Sequence, residues 1–254
     1  MTLPYSSYVI CGSPRSGSTL LCEMLAATGV AGRPNSFFRM QSIMHWAERW
    51  GVPHAGGVDD AEFDRAYLAA MQREGAAGTD VFGLRLMWVS VAEASRRLDR
   101  VFGATADIAE RLEQAFGPTL YIHLSRRDKA AQAVSLLKAE QSGLWHLSAD
   151  GTVFEGAAAP APTAYDAGRL AAILRERQGD DAAWTDFFAA RRIEPVRLVY
   201  ETMTADPRLA LASILGALGR DPGIARTIPV GTAKMADATN AAWAERLRDS
   251  VDGE

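Results

Sequence analysis

Residues 8–28 read Tyr-Val-Ile-Cys-Gly-Ser-Pro-Arg-Ser-Gly-Ser-Thr-Leu-Leu-Cys-Glu-Met-Leu-Ala-Ala-Thr, a short apolar run that enters a Gly/Ser loop and opens directly into an apolar helix. Backbone N–H groups at a helix N-terminus lack intrahelical partners, and the helix dipole adds partial positive charge where those donors point. Such a turn is suited to an anion. Gly12 and Gly17 let the chain approach a phosphate closely, while Arg15, Ser16, Ser18 and Thr19 offer charged or hydroxyl donors.

Gly12 to Thr19 nearly matches the nucleotide-triphosphatase pattern G-x-x-x-x-G-K-[ST], yet Ser18 stands where that pattern requires Lys. The basic residue sits inside the loop instead, at Arg15. A P-loop kinase or triphosphatase would also need Mg²⁺ and a strand-end Asp to hold it, and none of the predicted strands ends in one. The plain structural alternative is a Gly/Ser turn that only joins strand to helix.

The predicted strands are Tyr8–Cys11, Gly83–Met87, Thr119–Ser125 and Val196–Tyr200, short and apolar in the manner of buried parallel strands. Helical stretches at Ser18–Thr28, Ala61–Arg73, Ala106–Phe116, Lys129–Gln141, Tyr165–Arg191 and Pro207–Leu218 separate them. Strands alternating with helices predict an α/β, P-loop-like three-layer fold with a central, mostly parallel sheet flanked by helices. Residues 148–163 are rich in Gly, Ala and Pro without periodicity, which predicts a mobile excursion, either a lid or a passive surface loop.

A chain of 254 residues, 48% hydrophobic and 23% charged, can bury a full core, and a single domain over 1–254 is the simplest expectation. The net charge of −4 gives no general attraction to nucleic acid or anionic lipid, so any anion must be held by a local basic cluster. The N-terminus lacks signal-peptide character, and no stretch approaches the roughly 18–20 apolar residues of a membrane span. A cytoplasmic protein is expected. Cys11 and Cys22 read as buried reduced thiols, and no metal site is expected.

Tyr121-Ile-His-Leu-Ser-Arg-Arg-Asp-Lys-Ala-Ala-Gln-Ala-Val-Ser135 is a second strand that ends in basic residues before a helix. In an open α/β sheet, ligands collect at the carboxyl ends of strands, so this end can share a crevice with the first loop. Arg126 or Arg127 is placed to fork onto a phosphate, and Ser135, about two turns into the helix, to add a hydroxyl. Salt bridges to acids such as Asp128 are the alternative use of both arginines.

The paired motifs resemble the sulfotransferase superfamily, whose donor, 3′-phosphoadenosine 5′-phosphosulfate, carries phosphates at both ends. Ser16-Gly-Ser-Thr-Leu-Leu, Ala27-Thr-Gly-Val-Ala-Gly-Arg-Pro followed by Phe37-Phe38, Leu86-Met-Trp88 and Gln132-Ala-Val-Ser135 look like the bacterial trehalose 2-sulfotransferase family. The likeness continues through Glu194-Pro-Val, Gly216-Ala-Leu-Gly-Arg-Asp-Pro222 and Lys234-x-Ala-Asp-x-x-Asn-x-x-Trp243. The resemblance implies a cytoplasmic homodimer that uses this donor, releases adenosine 3′,5′-bisphosphate and sulfates a hydroxyl of a sugar or glycolipid. It implies that Ser13, Arg15, Ser16, Gly17, Ser18 and Thr19 line the phosphosulfate loop, with Arg126 (or Arg127) and Ser135 at the 3′-phosphate. Lys234 falls at a family position that closes over the nucleotide, with a plain surface Lys as the alternative, and Arg85 replaces a family Lys at a strand end.

The acceptor segment, Arg33-Pro34-Asn35-Ser36-Phe37-Phe38-Arg39, departs from the family. The family carries a Glu two residues after its Pro as the general base, and Ser36 occupies that place. A serine hydroxyl cannot act as a carboxylate base near neutral pH. His45 and His54 have the better intrinsic pKa among nearby substitutes, which also include Glu48, Asp59 and Asp60. With Arg33 and Arg39 flanking Ser36, the pocket is expected to prefer an acceptor bearing carboxylate or phosphate over neutral trehalose. Phe37, Phe38, Trp46 and Trp50 are candidates to stack on sugar rings, and core packing explains the tryptophan spacing equally well. A non-catalytic nucleotide-binding module that has lost its base is the second reading of the chain.

Overall fold

A computed structural model describes residues 4–54, 57–104, 107–147, 153–156, 161–230 and 238–252. Four parallel strands, β1 (Ser7–Gly12), β2 (Phe82–Met87), β3 (Thr119–Ser125) and β6 (Val196–Val199), form a sheet in the order β2-β1-β3-β6. Each predicted strand is present, with the last shortened because Tyr200 already begins a helix. β1 lies in register between its neighbours, Gly12 opposite Met87 on one side and Leu124 on the other.

β1, β2 and β3 are largely buried on both faces, whereas β6 at the sheet edge is half-buried with Arg197 exposed. Tyr8 and Ile10 of β1, with Leu120, Ile122 and Leu124 of β3, point to one side. There they pack on α1 (Ser18–Ala27) and α9 (Pro207–Ala217). Val9, Cys11 and Tyr121 point to the other, against α2 (Ile43–Trp50), α3 (Ala61–Ala76), α4 (Val91–Phe102), α5 (Ile108–Phe116) and the end of α7 (Ala167–Arg191). A further apolar cluster joins α6 (Lys129–Ser142), α7 and α10 (Ala238–Asp252) beside the sheet. The short α8 (Tyr200–Ala205) follows β6 and places Tyr200 and Met203 beneath the first loop.

The described structure adds elements to the sequence expectation. The excursion over 148–163 contains a strand, β5 (Val153–Gly156), antiparallel to β4 (Leu144–Leu147); residues 148–152 and 157–160 lie outside the described residues. β4 itself, α2, α4, α8 and α10 are also added. α4 was hidden by its charge: of its inward residues, Glu93 and Arg97 are buried beside Ala94 and Leu98.

These charges are paired. Arg97 Nη1 donates to Asp64 Oδ1 of α3 at 2.5 Å and its Nε to Glu93 Oε1 at 2.6 Å, while Arg100 Nε reaches Asp64 Oδ2 at 2.5 Å. Removing one member of a buried pair strands the other, typically at a cost of about 3–5 kcal/mol. Asp64→Ala is therefore expected to lower the urea unfolding free energy by about that amount; a change below about 1 kcal/mol would show that the network does not hold α3 to α4.

Candidate active site

The loop between β1 and α1 is built of strained and orphaned groups. Arg15 has φ +65°, a left-handed conformation that costs a residue with a Cβ about 1–2 kcal/mol. Its side chain is held in place: Nε donates to Ser135 Oγ of α6 at 3.0 Å and Nη1 to the Trp145 carbonyl of β4 at 2.5 Å. The amide of Gln132 grips the loop from α6, donating to Ser13 Oγ at 2.9 Å and to the Pro14 carbonyl at 2.7 Å.

Gly17 caps α1 with φ +86°, and no side chain caps the helix in its place. A Cβ there would lie 2.7 Å from Met203 Cε and 2.8 Å from Tyr200 Cδ2, so glycine is required on two counts. Ser13, Ser16, Ser18 and Thr19 are all buried, and the Ser16 hydroxyl has no hydrogen-bond partner among the described residues. A buried unpaired hydroxyl is costly, and one aimed into a helix N-terminal loop fits an anion oxygen.

Both strand ends meet here. Arg126, just after β3, donates from Nη1 to the Arg15 carbonyl at 3.1 Å and stacks on the Tyr200 ring with its guanidinium 4.3 Å from the centroid. Its Nε is buried without a hydrogen-bond partner among the described residues. Arg127 points elsewhere: its side chain is 70% exposed and lies 3.9 Å from Glu201. The structure thus brings Arg15, Arg126 and Ser135 into one cluster and leaves Arg127 outside it. Lys234 lies outside the described residues.

A cavity of about 420 Å³ opens beside this cluster, between α1, the 33–39 segment, β2 and α2. The 33–39 segment is held as an extension of the sheet, with Arg85 N donating to the Asn35 carbonyl at 3.0 Å and Asn35 bridged to Leu84. Arg85 links the two halves of the site: Nε donates to Ser36 Oγ at 2.7 Å and Nη1 to Thr19 Oγ1 at 3.0 Å. Pro34, Asn35 and Ser36 line the cavity, as do Arg33, which also pairs with Glu74 at 3.4 Å, and Arg39, whose guanidinium lies 5.9 Å from the Trp145 ring.

Phe37 and Phe38 do not line it. Both are fully buried, and Phe37 packs on Trp46, Trp50 and Phe82 with ring centroids 5.2, 5.7 and 6.4 Å apart. The pair anchors the segment to the core rather than facing a sugar. Of the substitute bases, His45 reaches the cavity wall, with its ring 5.6 Å from Trp46. His54 is turned onto the Val52 carbonyl at 2.9 Å, Asp60 caps α3, and Asp59 pairs with Arg96 at 2.7 Å.

Glu23, not foreseen from the sequence, is the one carboxylate on the cavity wall among the described residues. It lies one helical turn beyond Thr19, a spacing that places the two on one face of α1 and could have marked it. Burial raises its carboxyl above the ordinary range, and the Arg85 charge offsets part of that rise. Burial also pushes the Cys22 thiol beside it up to about 11, so it stays protonated near neutral pH.

A family model described as Stf0 sulphotransferase matches residues 7–250. The chain belongs to the Stf0 sulphotransferase family. The chain is 28% identical to a trehalose 2-sulfotransferase of Mycobacterium tuberculosis over 95% of its length and 94% of the relative's. It is 29% identical to one of Mycolicibacterium smegmatis over 96% of its length and 94% of the relative's. A solved sulfotransferase domain from the Synechococcus PCC 7002 olefin synthase covers 98% of this chain and 96% of its own, with 19% identity and a TM-score of 0.42.

No described helix of this sulphotransferase is long and apolar enough to cross a membrane. Among the described residues, no group of three or more His, Cys, Asp or Glu is placed to hold a metal ion. The loop geometry yields a direct test. Gly17→Ala is expected to cost at least about 1–2 kcal/mol of stability, from the left-handed backbone alone and more from the clash with Tyr200. Unchanged thermal and urea midpoints would contradict the packing described for the loop.

Proposed function

We propose that this sulphotransferase uses 3′-phosphoadenosine 5′-phosphosulfate to sulfate a hydroxyl of a sugar or glycolipid that also carries an anionic group. The observation that carries the donor assignment is the pair of buried unsatisfied donors, Ser16 Oγ and Arg126 Nε, on either side of the Arg15 backbone. A ligand with one phosphate near each satisfies both. Ser13, Arg15, Ser16, Gly17, Ser18 and Thr19 would hold the 5′ end; Arg126 and Ser135 would hold the 3′-phosphate. When bound, the nucleotide supplies a sulfuryl group linked to a phosphate leaving group.

The residues of the chain supply position and charge. Arg15 and the uncapped N–H groups of α1 stabilise negative charge at the loop, as cationic clamps do in phosphoryl transfer. Arg85, spanning Thr19 and Ser36, sits between loop and acceptor cavity, where charge on the transferring group develops. Sulfuryl transfer resembles phosphoryl transfer in its loose transition state, so such positioning outweighs early deprotonation of the acceptor.

The acceptor reading rests on the cavity's charge. Among the described residues, Arg33, Arg39 and Arg85 line it against the single carboxylate of Glu23, and Ser36 brings no acid. The trehalose in the names of the curated relatives supports a sugar acceptor, while the arginines favour one with phosphate or carboxylate. Initial rates measured with glucose 6-phosphate, glucuronate and trehalose as acceptors test this. The charged sugars are expected to exceed trehalose at least tenfold in kcat/KM, and equal or better use of trehalose would overturn the acceptor assignment. Arg15→Ala is expected to lower turnover by about 10²–10³-fold, as loss of a charge-stabilising donor does; near-normal rates would sink the role given to Arg15.

A further inference from the structure

Position 36 holds a serine whose hydroxyl already accepts from Arg85 Nε at 2.7 Å. A hydroxyl can accept a further hydrogen bond but, unlike a carboxylate, is too weak a base to take the proton of an acceptor hydroxyl near neutral pH. The same cavity contains a carboxylate on its opposite wall. Residues Thr19, Cys22, Glu23 and Ala26 all line it, an i, i+3, i+4, i+7 stripe that turns one face of α1 into that wall. Thr19 touches Arg85 and closes the anion loop, and Glu23 stands about 6 Å further along the helix axis. An attacking oxygen held between loop and cavity therefore falls within reach of the Glu23 side chain.

We propose that Glu23 is the catalytic base of this sulphotransferase, accepting the proton of the acceptor hydroxyl in place of the carboxylate that position 36 lacks. This rests on the sulfuryl-transfer reading above. As the acceptor oxygen bonds to sulfur, the bond between sulfur and the 5′-phosphate oxygen breaks and its electron pair leaves with the phosphate. The hydroxyl proton passes to a Glu23 carboxylate oxygen, and the resulting acid returns it to solvent after the sulfate ester departs.

The surroundings suit the role. Burial raises the Glu23 carboxyl above the ordinary range, which strengthens it as a base, and the charge of Arg85 on β2 opposes part of that rise. The other groups on the cavity wall are Arg33 and Arg39 of the acceptor segment, His45 of α2 and the neutral Cys22 thiol. Two of these are cations that favour the carboxylate form. His45, on the far wall, is exposed and stacks edge-on to Trp46, so it faces solvent as much as substrate.

The test combines Glu23→Gln and Glu23→Asp in the full chain with two readouts independent of turnover. Calorimetry with adenosine 3′,5′-bisphosphate is expected to give Kd values within twofold of the unsubstituted protein for both variants, since Glu23 lies outside the phosphate loop. Carbon-13 titration of labelled Glu side chains is expected to show one carboxyl, missing in Glu23→Gln, that titrates above the usual value of about 4.3. With the best acceptor of the panel, Glu23→Gln is expected to lose about 10²–10⁴-fold in kcat. The acidic limb of the kcat profile should vanish with it, because protonation of Glu23 below its raised pKa is what switches the base off. Glu23→Asp, which keeps the charge on a shorter stem, should recover part of the rate and the limb.

Turnover by Glu23→Gln within twofold of the unsubstituted rate, or a Glu23 carboxyl titrating at or below the ordinary value, would overturn the assignment while leaving the donor reading intact. Failure of the unsubstituted protein to bind the bisphosphate would instead remove the sulfuryl-transfer reading on which it stands.

Discussion

The site depends on one backbone constraint: Arg15 is held in the left-handed region by contacts from three other elements of the chain. Its guanidinium is fixed by Ser135 and the Trp145 carbonyl, and its own carbonyl receives Arg126. A residue that strained persists only where its neighbours over-determine it. Here those neighbours are α6, the start of β4 and the end of β3, so the strain couples the loop after β1 to the basic end of β3. The crevice at the carboxyl ends of the strands follows from that coupling, because β6 then delivers Tyr200 under both Arg126 and Gly17.

A chain of net charge −4 concentrates cations where the sheet ends. Arg15, Arg85 and Arg126 converge on that edge, each tied to hydroxyl or carbonyl oxygens. Acids elsewhere are engaged: Asp181 takes Lys129, Asp128 takes Arg248, and Asp64 and Glu93 hold Arg97. The anion site is thus a local feature of hydrogen-bonded arginines and uncapped helix N–H groups, with no help from the global charge.

Much of the fold was legible because parallel strands buried on both faces are short apolar runs, and Gly12 to Thr19 could be placed between one of them and a helix. The joining of Arg126 with Arg15 followed from strand-end logic, whereas the choice between Arg126 and Arg127 did not, since adjacent arginines differ only in which way the chain turns after β3. Phe37 and Phe38 looked like sugar platforms but are core, because an aromatic pair reads the same on either side of a buried segment. α4 was obscured by charges that are buried as pairs, a tertiary arrangement with no local pattern. Glu23 was within reach of helical spacing from Thr19, but nothing local distinguishes a carboxylate on a cavity wall from one on a solvated face.

The central claim is that the two basic strand ends form one site for a nucleotide with phosphates at both ends. Isothermal titration of adenosine 3′,5′-bisphosphate into the full chain, with ADP and Mg·ATP as controls, tests it most directly. Tight one-to-one binding of the bisphosphate, with the controls weaker by at least tenfold, is the expected result. Absence of binding, or a preference for Mg·ATP, would mean that Ser16 and Arg126 do not share a ligand, and the donor assignment would fall.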